Sequence, residues 1–153
     1  MDLRVPVTAK AVTISFVDGL QKKGTVYIPD AAPDHSGRMR IEEWLNLKEM
    51  FFPFKADDSA TPVIINKNNV VTVSTDYEVD DQEFAVLNQI LKCRVKVEMH
   101  NVEITGSLII DMPENRLRVL DVLNYDHHFL TLVEDEFEIL INKRLIFQVI
   151  ELH

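Results

Sequence analysis

One cysteine, one tryptophan and four glycines are what this chain of 153 residues has least of. The lone Cys93 rules out an intrachain disulfide framework. Four glycines leave no Gly-rich loop to cradle a phosphate. No apolar run approaches the roughly 20 residues that cross a bilayer, and Met1-Asp2-Leu3-Arg4-Val5-Pro6 lacks the apolar block of a signal peptide. A soluble cytoplasmic protein with no membrane insertion is therefore expected. Basic side chains are also short, 16 against 25 acids for a formal charge of −9. Such a surface repels a polyanion on average, which disfavours nucleic acid as a partner. With 46% apolar residues the chain has material for one ordinary domain or two small ones.

What is present is written twice. Arg38-Met39-Arg40-Ile41-Glu42-Glu43-Trp44-Leu45-Asn46 aligns without a gap on Arg116-Leu117-Arg118-Val119-Leu120-Asp121-Val122-Leu123-Asn124, and Phe51-Phe52-Pro53-Phe54 falls on Phe129-Leu130-Thr131-Leu132 in the same register. Over residues 38–54 five of the 17 positions are identical, where chance gives roughly one. After a two-residue length difference, Ile64-Ile65-Asn66-Lys67 meets Leu140-Ile141-Asn142-Lys143, followed by Val70 and Val73 against Ile146 and Val149. Fixed-period self-similarity of this kind signals a repeat architecture.

Upstream, Val12, Ile14 and Phe16 alternate with polar neighbours as do Val95, Val97 and Met99, and period two predicts strands. A second alternating run follows each, from Gly24 to Pro29 and from Gly106 to Asp111. Asp18-Gly19 supplies a hairpin turn in the first copy, where the second has Asn101-Val102. Each copy thus reads as five short strands, with a helical turn around Trp44 or Val122. Too few strands for a sandwich, they are expected to curl into a small barrel that hides its edges. Between the copies, residues 81–92 carry a helix signature: Asp80 to cap, Glu83 three residues on, Lys92 at the far end, and Phe84, Leu87, Ile90 and Leu91 on one face. The expected fold is mainly β, two tandem five-stranded small barrels (1–76 and 77–153) joined by this amphipathic helix.

That order of elements resembles the Sm-like branch of the SH3-like small barrels, most fully from about Asp81 to Leu152. Sm proteins carry an Arg-Gly pair before the closing strand; Asn142-Lys143 and Asn66-Lys67 stand there instead, a departure that speaks against their uridine-binding role. In style the chain is also similar to a bacterial group of small domains of unknown function, on Arg38 to Asn46, Phe51 to Phe54 and Ile64 to Val73 with their second-copy partners. This resemblance implies a bacterial source and brings no catalytic residue.

Candidate binding residues follow from the repeated polar positions. Arg38, Arg40, Arg116 and Arg118, expected on strands, would grip a carboxylate or phosphate with forked donors, or pair with Glu42, Glu43 and Asp121. Asn66, Lys67, Asn142 and Lys143 are candidates by their repetition. Trp44 with Phe51, Phe52 and Phe54 would form either a peptide groove or core; Val122, Phe129, Leu130 and Leu132 in the second copy favour core. Asp126-His127-His128 lacks further metal ligands at recognisable spacing, and no partner for Cys93 as a nucleophile stands nearby. Acids gather in the second copy, where residues 77–153 hold 15 against 7 bases, including Glu134-Asp135-Glu136 and Glu138. They read as a solvated surface or a lure for a basic partner.

Absence of a nucleophile, base or metal constellation makes a non-enzymatic interaction or regulatory module the leading expectation. It takes no cofactor, and its partner is another protein or a second copy in a homo-oligomer. The alternatives are an Sm-like RNA-binding protein using Lys22, Lys23, Arg38, Arg40 and Lys67, and a metal-dependent enzyme using Asp126, His127 and His128.

Overall fold

Alternating side chains build the strands, and their burial keeps the same period. In β1 (Val7–Phe16) Val12 and Ile14 are buried while Thr13 and Ser15 are half-exposed. In β2 (Gln21–Pro29) Gly24, Val26 and Ile28 face inward. The computed structural model describes residues 7–29, 39–76, 92–109 and 119–153, and the chain divides into two compact units, Met1–Thr75 and Asp76–His153. The protein is mainly β, and its described strand pairs are antiparallel. No described helix is long and apolar enough to cross a membrane.

The first unit continues through α1 (Ile41–Leu45), β3 (Phe51–Ala56), β4 (Val63–Asn66), a 3-10 turn (Lys67–Asn69) and β5 (Val70–Asp76), in the sheet order β5-β1-β2-β3-β4. The second runs β6 (Lys92–Met99), β7 (Val102–Ile109), α2 (Val119–Leu123), β8 (Phe129–Glu134), β9 (Phe137–Asn142), a 3-10 turn (Lys143–Leu145) and β10 (Ile146–Glu151), in the order β10-β6-β7-β8-β9. Both units therefore place their fifth strand beside their first and leave the fourth at the far end.

The pairing registers coincide residue by residue. Phe51 faces Asn66 as Phe129 faces Asn142. Thr25 faces Lys55 as Ser107 faces Val133. Ile14 faces Val73 as Val97 faces Val149, and the bulge that skips Val71 in β5 recurs at Phe147 in β10. The hairpin turns solve one backbone problem with different residues. Gly19 sits at φ 90° and Asn101 at φ 61°, so asparagine supplies in the second unit the left-handed turn that glycine supplies in the first.

Two sequence expectations change. Arg40 does not lie on a strand; it is the N-cap of α1, and its backbone N–H donates to Glu43 Oε1 at 3.4 Å. Four residues of alternation are too short to outweigh the i, i+3, i+4 spacing of Ile41, Trp44 and Leu45, all buried by the helical turn. The helix expected over 81–92 falls outside the described residues except for Lys92, which opens β6.

Gly24 sets how closely β3 approaches β2. A Cβ there would lie 2.3 Å from the Lys55 carbonyl oxygen and 2.5 Å from the Phe54 ring, whereas one on Gly106 would meet Leu132 Cβ at 3.1 Å. Gly24→Ala is expected to destabilise by about 2–3 kcal/mol and Gly106→Ala by less than about 1 kcal/mol. Urea midpoints of the two variants check this; equal costs would contradict it.

Candidate functional site

The repeated Asn-Lys pair turns out to be wired into each unit. Asn66 Oδ1 accepts from the Asn68 N–H at 3.0 Å, and Asn142 Oδ1 accepts from the Arg144 N–H at 3.1 Å. Each asparagine thereby caps the 3-10 turn between the last two strands. The backbone N–H of Lys67 donates to the Met50 carbonyl at 2.8 Å, and that of Lys143 to the His128 carbonyl at 3.1 Å. Lys67 Nζ then donates to the Leu47 carbonyl at 2.9 Å; Lys143 Nζ donates to the Leu123 carbonyl at 2.9 Å and also to that of Tyr125, the residue equivalent to Leu47. Both lysines thus strap the closing turn to the segment that leaves the short helix. The carbonyl of Leu123, the last residue of α2, gains a donor there.

Burial makes this arrangement strict. Lys67 is only 3% exposed and Asn142 only 1%. Desolvation holds the Lys67 amine below the ordinary lysine range, with Glu49 pulling the other way, and Lys143 is lowered by the same cause against Asp126.

The remaining candidates scatter. Arg40 Nη1 pairs with Glu42 Oε1 at 3.3 Å on a part-exposed surface; Arg38, Arg116 and Arg118 lie outside the described residues. Trp44 packs edge-on against Phe52 at 5.2 Å between centroids, and Trp44, Phe52 and Phe54 are all buried. These three are core, and Phe51 alone of the aromatic set is exposed. Glu134 is held by Arg94, Asp135 makes a left-handed turn residue at φ 53°, and Glu138 is buried. Asp126 and His127 are exposed on a loop where the His127 ring meets Tyr125 at 4.5 Å. Among the described residues no three His, Cys, Asp or Glu side chains converge on a common point. Cys93 is half-buried, and desolvation followed by the charge of Glu151 pushes its thiol above the usual range.

Sequence reasoning missed an exposed apolar face on the β3–β4 hairpin. Phe51 is 59% exposed and Ile64 75%, with Pro53 exposed on the same face. Phe129 and Leu140, their equivalents, are 1% and 0% exposed. The fifth strands show the contrast reversed: Val70 and Val73 in β5 are buried, while their equivalents Ile146 and Val149 in β10 are half-exposed. The alignment pairs like with like at nearly all these positions, so only the cover differs and no local sequence signal marks it.

No family model, curated protein or solved structure matches the chain.

Two outcomes are expected. Lys67→Met removes a buried donor and should cost about 1–3 kcal/mol. Because the folded-state pKa is lowered, the native unit binds fewer protons than the unfolded chain between that pKa and 10.5. The contribution of the lysine is full above the unfolded value and falls as pH drops through the folded one. Denaturant titrations should therefore show the cost of Lys67→Met growing as pH rises toward 10.5; a cost that shrinks would contradict the sign. Cys93 should react with iodoacetamide at pH 8 several-fold more slowly than an unstructured cysteine peptide, and an equal or faster rate would contradict its environment.

Proposed function

We propose that this chain is a non-enzymatic interaction or regulatory module made of two SH3-like or Sm-like five-stranded small barrels. Support for the architecture comes from the shared order of fifth, first, second, third and fourth strand, and from the 3-10 turn before each fifth strand. Support for the role comes from where polar and apolar groups are spent. The repeated Asn-Lys pairs, which in a binding site would face a ligand, serve backbone groups inside each unit.

The observation that carries the reading is the bare apolar face of Phe51, Pro53 and Ile64. Scattered apolar residues on a surface need no explanation, but contiguous ones on paired strands mark interaction sites. Pro53 and Ile64 are direct cross-strand partners, and Phe51 lies two residues along the same face.

A photoreactive phenylalanine analogue placed at Ile64 or at Phe147 and irradiated in cells is expected to give discrete protein adducts. The same probe at Leu20, also exposed but on the β1–β2 turn, should give none. Adducts to RNA instead, or no adduct from either strand, would overturn the reading.

A further inference from the structure

We propose that the partner docking on the β3–β4 face is an extended segment of another protein that carries apolar side chains followed by acidic ones. This rests on the interaction-module reading and names the chemistry of its partner. Side chains of β3 alternate, so Phe51, Pro53 and Lys55 share the face opposite the buried Phe52, Phe54 and Ala56. Ile64 stands across from Pro53 and Thr25 across from Lys55, and Lys23, two residues before Thr25, lies on that same face. Along one surface an apolar trio thus gives way to two lysines, with Phe51 and Lys55 about 13 Å apart at the rise of an extended strand.

Three observations select acidic groups. First, strands β1 to β4 carry Lys10, Lys22, Lys23 and Lys55 and no aspartate or glutamate, in a chain whose formal charge is −9. Second, among the described residues neither Lys23 nor Lys55 enters an ion pair, although the chain holds 25 acids. Even Asp57 and Asp58, exposed on the turn that follows β3, pair with neither. Third, the second unit is an internal control for what the fold requires. The strap lysine recurs as Lys67 and Lys143, whereas Thr105 and Val133 stand at the places of Lys23 and Lys55. These two cations are thus neither demanded by the fold nor neutralised by the chain's own acids. They would also serve a nucleic acid, but the net charge repels a polyanion, and Pro53 and Ile64 offer bases no aromatic ring to stack on. A short segment with few acids escapes most of that repulsion. Exposed ion pairs are individually weak, so the apolar trio anchors the segment and the lysines choose it.

Fluorescence anisotropy with the full chain tests this. The probe is a short labelled peptide in which serine alternates with leucine and phenylalanine in one half and with glutamate in the other. The same peptide with lysine in place of glutamate should bind the wild type at least tenfold more weakly. Joint replacement of Lys23→Glu and Lys55→Glu should reverse that preference, and Ile64→Ser should weaken the acidic peptide tenfold without changing which peptide is preferred. Should the reversed variant lose its thermal transition, Lys23→Gln with Lys55→Gln takes its place and should abolish the preference. Equal binding of the two peptides, binding of neither, or a preference that survives the lysine replacements would each overturn the proposal. So would an oligouridylate RNA or a phosphatidylserine vesicle that binds the wild type as tightly as the acidic peptide does. Protein adducts of the Ile64 probe that persist unchanged when both lysines are reversed would overturn it while leaving the interaction-module reading standing.

Discussion

A lysine amine held by backbone carbonyls, buried at Lys67 and half-buried at Lys143, is the constraint on which each unit depends. The fourth and fifth strands are joined by a single 3-10 turn, and such a short junction leaves little to specify how the last strand departs. Asn66 and Asn142 define the turn from their own side chains, and Lys67 and Lys143 tie it to the segment following the short helix. The desolvation of the amine is offset where its N–H donors meet these carbonyls. Leaving them unmet would cost more than the strap contributes, so the turn, the helix exit and the third strand are positioned together.

From that junction the pairings follow. Asn66 faces Phe51 and Asn142 faces Phe129, which fixes the register of the hairpin and with it the inward direction of Phe52, Phe54, Leu130 and Leu132. Gly24 and Gly106 then let the second strand accept the third closely, and the larger Phe54 ring demands more of Gly24 than Leu132 demands of Gly106. The units differ in what is left uncovered. The same hairpin face is sealed around Phe129 and Leu140 and open around Phe51 and Ile64, and that difference is where an interaction function is proposed to reside.

Much of this was legible in the residues. Period-two alternation marked the strands, and the alignment of Asn66-Lys67 on Asn142-Lys143 singled out the residues that matter to both units. Their role was not legible, because the carbonyl partners of Lys67 and Lys143 lie about 20 residues upstream and only folding brings them together. Arg40 was misplaced because alternation over so few residues cannot be told from the start of a helical turn. The exposure of Phe51 against the burial of Phe129 had no local signal at all, since identical residues sit at equivalent positions.

Cross-strand nuclear Overhauser contacts in the isotopically labelled chain test the central claim most directly, namely that both units share one register anchored at the Asn-Lys pair. Contacts linking Phe51 with Asn66 should recur between Phe129 and Asn142, and the bulge at Val71 should recur at Phe147. A register offset by one residue in either unit, or an Asn-Lys turn whose amides exchange as fast as unstructured ones, would contradict the account.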